Sequence, residues 1–191
     1  MPLYEDVFNE QQTARGYPLF LWKYLVALIL CASLAPVHAS VRSEYEIKAA
    51  FFYNFTRFVN WTHLPDNESP LRACVIGDNP FGDLLEPLNG RKSQGRKLEI
   101  TGPDDVSADH GCHVLFVSVS EARNLSGIVG AAHEQKLLTI SDIPNFIDRG
   151  GIIGYIKQGN VIRFEINLRV ANTLGLTIDS RLLELASRVI R

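Results

Sequence analysis

The sequence predicts a three-layer α/β/α sandwich with a mostly parallel sheet and an antiparallel hairpin at one edge. Short apolar runs typical of buried strands, at residues 71–77, 97–101, 112–119 and 137–140, alternate with segments of helical periodicity. This alternation favours a parallel sheet covered by helices on both faces. Two further strand-like runs, IIGYIK and VIRFEIN, meet at Gly159-Asn160, where a leading glycine suits a two-residue type II′ turn.

The hairpin turn also predicts a register, in which Gln158 faces Val161. Because side chains alternate along a strand, one face is expected to be core and to carry Ile153, Tyr155, Ile162, Phe164 and Ile166. The opposite face is expected to carry Gly154, Ile156, Arg163 and Glu165. Since this second face mixes charged and apolar residues, either a helix covers it or it is offered to a partner.

The composition is that of one compact globular domain plus an N-terminal segment. The chain has 191 residues, of which 46% are hydrophobic and 21% charged. Its 19 basic and 21 acidic residues give a net charge of −2, so no positive field is available to hold a phosphate backbone. Nucleic acid is therefore not expected as a partner.

The N-terminal segment has the pattern of a secretory signal. Arg15 and Lys23 precede an apolar run at residues 24–34, and Ala39 supplies the small residue before a cut. We expect cleavage after Ala39, which leaves residues 40–191 as a single exported domain. The alternative is an uncleaved membrane anchor, but the uncharged run is shorter than the roughly 20 residues that a span requires and contains Pro36. No stable membrane insertion is expected after cleavage.

An aromatic helix is predicted near the start of the exported domain. Ser43 and Glu46 have the spacing of a capping box. Tyr53 and Trp61 lie off the apolar stripe and are candidate interface anchors. The expected core stripe consists of Ile47, Phe51, Phe55 and Phe58, widened by Ala50, Phe52 and Val59.

Further helices are expected from about Pro80, from Ser120 to Ala132, from Leu168 to Leu174, and from a cap at Asp179 or Ser180. The last helix is expected to turn five apolar residues inward: Leu182, Leu183, Leu185, Ala186 and Val189.

No catalytic motif is present in the sequence. Ser118, Ser120 and Ser141 lie outside any GxSxG or SxxK pattern, and the carboxylates show no spacing typical of acid–base pairs. Gly77-Asp78-Asn79 follows a predicted strand and could seat an anion or small ligand. That signal is weak because Asp78 would repel a phosphate. We expect neither enzymatic activity nor a cofactor.

Cysteine usage leaves two alternatives open. Removal of the signal takes away Cys31, and the remaining pair, Cys74 and Cys112, favours a disulfide in an oxidising compartment. Alternatively, Cys112 lies between His110 and His113, and two histidines with a cysteine could hold zinc. A fourth ligand is missing nearby, so we expect no metal site.

Several segments together resemble one family of periplasmic proteins. YEIKAAFFYNFTRFVNW, CVIGDNPFG, CHVLFVS, LLTISD, GGIIGYI, VIRFEIN and SRLLELA occur in order from about Tyr45 to Ala186. Together they resemble the YfiR family, which implies a location in the periplasm of a Gram-negative bacterium. The resemblance implies a non-enzymatic repressor that binds the periplasmic part of an inner-membrane diguanylate cyclase and so limits cyclic-di-GMP and biofilm formation. It also implies a cysteine pair at Cys74 and Cys112, whereas a further pair found in some relatives has no counterpart here.

With no catalytic motif in the sequence, we expect the function to reside in a surface. The expected partner is the periplasmic domain of a membrane diguanylate cyclase, and a homodimer with a second copy of the chain is a further candidate assembly. A small-ligand binding protein is the alternative. The candidate partner interface consists of Tyr53, Trp61, Ile156, Arg163, Glu165 and Leu168.

Overall fold

An eight-stranded sheet with helices on both faces forms the body of the molecule. We describe it from a computed structural model that covers residues 37–62, 64, 69–101 and 111–191. The apolar run of the expected export signal lies outside these residues. Residues 38–191 form one compact unit.

The described helices are α1 (Val37–Phe58), α2 (Leu125–Glu134), α3 (Leu168–Thr173) and α4 (Ser180–Leu185). Short 3-10 turns occur at Glu86–Leu88, Val119–Glu121 and Ile147–Arg149. The strands are β1 (Val59–Trp61), β2 (Leu71–Ile76), β3 (Lys92–Ser93), β4 (Arg96–Thr101), β5 (Val114–Val117), β6 (Leu138–Ser141), β7 (Ile153–Gln158), β8 (Val161–Asn167), β9 (Leu176–Ile178) and β10 (Arg188–Ile190).

The main sheet has the strand order β10-β8-β7-β6-β5-β2-β4-β3. The pairs β7–β8 and β3–β4 are antiparallel, and the other neighbours in this sheet are parallel. Strands β1 and β9 form a separate antiparallel pair. The predicted fold class, a three-layer sandwich with a mostly parallel sheet, is therefore confirmed.

Two apolar layers cover the sheet. Alternate residues of β5 divide between them: Val114 and Phe116 belong to the core under α1, and Leu115 and Val117 to the core under α2. Because neighbouring side chains of a strand point to opposite faces, these two clusters lie on opposite sides of the sheet. The β5 strand is accordingly buried on both faces, which explains its unbroken apolar sequence.

The predicted hairpin is confirmed in detail. Gln158 pairs with Val161, and Gly159 has a φ of 60° at the first central position of the turn. A side chain is disfavoured at that φ, which is why glycine is suited to this turn. All five residues expected on the core face of the hairpin are buried.

The start and orientation of the first helix differ from the prediction. Helix α1 already includes Val37, so Ser43 lies within the helix rather than at its N-cap. Ile47 is 42% exposed, whereas Lys48 is 4% exposed. The helix is turned so that Lys48, Ala49, Phe52, Phe55 and Thr56 face inward, because Lys48 pairs with the Asp142 carboxylate beneath it.

Two further helix predictions need correction. Residues 80–85 form turns rather than a helix, because Asn79 Oδ1 accepts the Phe81 N–H at 3.0 Å and Gly82 has a φ of 56°. The segment expected to be helical from Ser120 begins as the 3-10 turn Val119–Glu121, and α2 then runs on to Glu134.

The C-terminal segment also differs from the expected inward-facing helix. Asp179 caps α4 as expected, accepting the Arg181 N–H at 2.9 Å, but the helix ends at Leu185, which is 65% exposed. Val189 lies in β10, which pairs in parallel with β8. The hairpin is therefore next to the sheet edge, and β10 forms the edge itself.

Candidate functional site

The two cysteines are joined by a disulfide. Cys74 lies in β2 and Cys112 just before the neighbouring β5, with a Cα–Cα distance of 6.0 Å. Both residues are buried. The bond ties adjacent strands together and leaves Cys112 without the free thiolate that the zinc alternative requires. His110 lies outside the described residues, and the His113 Nδ1 atom accepts the Arg72 N–H at 3.0 Å.

The candidate ligand seat after β2 is occupied by neighbouring side chains. The Asp78 N–H donates to Ser120 Oγ at 2.9 Å, and Asn79 Oδ1 is bonded to the Phe81 amide. A Cβ built on Gly77 would come within 2.4 Å of Ser120 Oγ. The backbone at this strand end therefore packs against the Ser120 turn.

A buried ionic cluster lies where β6 ends. Lys48 Nζ is 2.7 Å from Asp142 Oδ2 and 2.8 Å from Glu44 Oε1. Tyr45 donates its hydroxyl to the same Asp142 oxygen at 2.6 Å, and Lys157 pairs with Glu44 at 2.8 Å. The Lys48 ammonium also lies 4.1 Å from the centre of the Tyr45 ring, a cation–π distance. One cation is thus shared by two carboxylates, which is how a buried charge is normally satisfied.

Burial and charge shift the pKa values of this cluster. Burial, then the hydrogen bond to Asp142, raises the pKa of Tyr45 well above its usual range. Burial, then the Asp142 charge, also raises the pKa of Tyr155, whose hydroxyl donates to the Lys48 carbonyl at 2.7 Å. Burial raises the pKa of Glu44, but hydrogen bonds from Lys157 and Lys48 together outweigh it and lower that pKa. Both tyrosines therefore stay protonated near neutral pH.

The cluster joins α1 to the sheet. A cavity of about 180 Å³ lies beside it, and Asp142 Oδ1 has no hydrogen-bond partner among the described residues. The lining includes Ile156, one of the candidate interface residues. Lys48 belongs to α1, whereas Asp142 lies 94 residues away, directly after β6. The bond between them therefore fixes the rotation of α1 over the sheet.

One half of the second hairpin face is covered and the other half is open. Gly154 packs beneath the 3-10 turn, since a Cβ built there would lie 3.3 Å from Ile147 Cγ2. Farther along the hairpin, Ile156 is half-buried and pairs with Arg163, which is exposed. The Arg163 side chain forms no hydrogen bond or ion pair with the described part of the chain. Val161, on the same face, is 54% exposed.

Glu165, at the covered end of this face, is held by an ion-pair network. Arg188 of β10 donates to Glu165 at 2.8 Å and to Asp148 at 2.7 Å. The hydrogen bond from Arg188 lowers the pKa of Asp148. Glu165 therefore holds the edge strand. Leu168, another predicted interface residue, is half-buried and packs against the core under α1.

The two aromatic interface candidates lie elsewhere. The Tyr53 hydroxyl donates to the Lys92 carbonyl at 2.7 Å, next to β3. Trp61 shares a cavity of about 170 Å³ with Ser93 and Arg96 of β3 and β4. In the strand order, β8 and β3 are separated by β7, β6, β5, β2 and β4. The six predicted interface residues thus form two groups rather than one continuous surface.

Comparison with known proteins decides the family. The sequence model of the YfiR/HmsC-like family matches residues 45–187. The chain belongs to the YfiR/HmsC-like family. This confirms the resemblance drawn from the sequence segments.

Two solved structures similar to this YfiR/HmsC-like chain are distant from it in sequence. A conserved domain protein from Vibrio cholerae is 15% identical with a TM-score of 0.51, and the match covers 76% of this chain and 60% of that one. This likeness concerns the fold. The ABC domain from Streptococcus pneumonia, solved in complex with L-Trp, is 12% identical over 63% of this chain and 55% of that one, with a TM-score of 0.47. No curated protein matches the chain.

Three features of this YfiR/HmsC-like domain were missed by sequence reasoning. The first is the Lys48–Asp142 pair, whose only local signal is a lysine beside the apolar positions of a helix. The second is Arg188, which ties β10 to the hairpin. The third is Arg91, which stacks on Tyr53 from a distant part of the sequence. Among the described residues, no helix is long and apolar enough to cross a membrane.

Proposed function

We propose that the protein is a periplasmic regulator that binds the periplasmic part of an inner-membrane diguanylate cyclase and holds the enzyme inactive. Membership of the YfiR/HmsC-like family over residues 45–187 carries the proposal. The proposed action is non-enzymatic binding, so that loss of the protein raises cellular cyclic-di-GMP and promotes biofilm formation.

The proposed location requires export. The charged flank, the apolar run at residues 24–34 and Ala39 support a cleaved signal. Mass spectrometry of the periplasmic fraction should then find a mature N-terminus at Ser40. Recovery of the intact chain in the membrane fraction would mean that the segment is retained as an anchor.

The open half of the hairpin supports a docking role. Ile156, Val161 and Arg163 combine partly exposed apolar area with an unpaired charge, and arginine is enriched among the residues that contribute most to interfaces. Glu165 is a poorer probe of docking than Arg163, because it also binds Arg188.

The experiment compares Arg163→Glu with the exposed control Arg123→Glu, which lies before α2. Cyclic-di-GMP is measured by mass spectrometry in cells that carry each variant in place of the natural protein. Reversal of a charge at an interface weakens binding, whereas reversal of an exposed, unpaired charge leaves the fold intact. Arg163→Glu should therefore raise cyclic-di-GMP at an unchanged melting temperature. Normal cyclic-di-GMP with Arg163→Glu would remove the hairpin from the interface.

A further inference from the structure

Two arginines converge on one tyrosine ring near the carboxyl end of α1. The Arg91 guanidinium lies 4.4 Å from the centre of the Tyr53 ring, and the Arg57 guanidinium lies 5.9 Å from it. Lys92 follows directly and is exposed. We call these four residues, Tyr53, Arg57, Arg91 and Lys92, the arginine–tyrosine surface.

The positive charge of this surface is not neutralised within the described structure. Neither the Arg57 nor the Arg91 side chain forms an ion pair or a hydrogen bond with a described residue, and the Lys92 side chain forms no ion pair with one. Some exposed cations elsewhere in the fold pair with carboxylates, for example Arg72 with Glu99 at 3.2 Å, whereas others, such as Arg163, do not. Around Tyr53, three unpaired cations thus lie near one side chain.

The structural role of helix ends explains only part of this charge. Arg57 lies in the last turn of α1, where a cation interacts favourably with the helix dipole. Arg91 belongs to no helix and reaches Tyr53 from the segment before β3. Arg91 thus adds a second positive charge beside the same ring, and each guanidinium interacts favourably with the ring face.

The surface is held in place before any partner binds. The Tyr53 hydroxyl is bonded to the Lys92 carbonyl at 2.7 Å. The Gln94 side-chain amide donates to the Thr56 carbonyl at 3.0 Å and to the Val59 carbonyl. These bonds join the end of α1 to the β3 segment, so little order has to be created on binding.

The chemistry of the surface selects carboxylates carried on a chain. Guanidinium groups bind carboxylates through paired hydrogen bonds, and the Tyr53 ring adds apolar contact area. Recognition of an anionic lipid surface normally uses a cluster of about four to eight basic residues. With Lys97, which is exposed and pairs with Lys92 across β3 and β4, the cations number four, at the lower limit of that range. Two of them are guanidinium groups held against an aromatic ring, an arrangement that suits paired hydrogen bonds to side-chain carboxylates, so a peptide segment rich in Asp and Glu fits this surface better.

We propose that the arginine–tyrosine surface binds an acidic segment of the membrane partner. This inference rests on the proposed function and adds to it the chemistry of the docking segment. Binding there depends on charge, so inhibition of the cyclase weakens as salt screens the interaction.

The test uses detergent-solubilised membranes from cells that lack the protein, to which the purified full mature protein is added. Cyclic-di-GMP synthesis from GTP is followed at low and at moderate salt. The variant is Arg57→Glu with Arg91→Glu. The control is Arg123→Glu with Lys136→Glu, which changes the charge equally at exposed positions beside α2. Melting curves of both variants accompany the assay, and the milder Arg57→Gln with Arg91→Gln replaces the variant if its melting curve collapses.

The wild type and the control should inhibit equally, and the charge-reversed variant should need about tenfold more protein or more, with its salt dependence reduced. Equal potency of the variant and the control would overturn the inference while leaving the proposed function standing. Binding of the wild type to phosphatidylglycerol vesicles, lost in the variant without a change in inhibition, would overturn it in favour of a lipid surface. If deletion leaves cellular cyclic-di-GMP unchanged, the proposed function itself is wrong.

Discussion

Replacing Asp142 by asparagine should destabilise the domain strongly. The change removes one of two carboxylates that neutralise Lys48, whose side chain is 5% exposed, and it also weakens the acceptor of the Tyr45 hydroxyl. Removing one partner of a buried ion pair costs about 3–5 kcal/mol. Because Glu44 remains 2.8 Å from Lys48, we expect the lower end, about 3 kcal/mol.

The measurement is thermal and urea unfolding at neutral pH with the disulfide intact. For a domain of this size, about 3 kcal/mol lowers the melting temperature by roughly 6–12 °C. The matched control is Glu99→Gln, which breaks the exposed pair with Arg72 and should cost less than about 1 kcal/mol. In the double variant Lys48→Met with Asp142→Asn, the loss should be smaller than the sum of the two single losses. Equal melting of Asp142→Asn and Glu99→Gln would refute the view that this cluster anchors α1.

Three further outcomes are expected from the described contacts. Reduction of Cys74–Cys112, whose sequence separation is 38, should lower the free energy of unfolding by about 4 kcal/mol, measured by urea denaturation with and without dithiothreitol. Glu165→Lys should lower the melting temperature because it sets a like charge against Arg188; an unchanged melting curve would show that β10 is held by other contacts. Hydrogen bonds from Arg181 lower the pKa of Asp179 to about 2. The Asp179 carboxylate therefore stabilises the fold above its unfolded pKa of about 4, and this stabilisation is lost as the pH falls toward about 2. The difference in melting temperature between the wild type and Asp179→Asn should shrink over this pH range.

The hairpin shows what the sequence could predict. Its register depends on a two-residue glycine turn and on side-chain alternation, and both are local properties. The buried β5 strand could be predicted for the same reason, since an unbroken apolar run is typical of a strand covered on both faces. The disulfide followed from cysteine count and compartment rather than from geometry.

The features that were missed depend on contacts between distant segments. Lys48 turns inward because Asp142 lies beneath it, and no periodicity in α1 reveals that partner. Strand β10 is only three residues long, which is too short for strand alternation to be recognised, and its apolar residues fit a continuation of the last helix equally well. The Arg188 contacts that hold the strand involve residues that are distant in the sequence. Tyr53 could be placed off the core stripe, but the approach of Arg91 to its ring follows only from the fold.

The measurement that tests the central claim most directly is cellular cyclic-di-GMP in a strain that lacks this protein. Mass spectrometry should show a rise on deletion and a return to the starting level when the gene is restored with its export signal. The same gene without residues 1–39 should fail to restore repression, because the proposed contact lies in the periplasm. Unchanged cyclic-di-GMP on deletion, or full repression by the unexported form, would contradict a periplasmic regulator of a diguanylate cyclase.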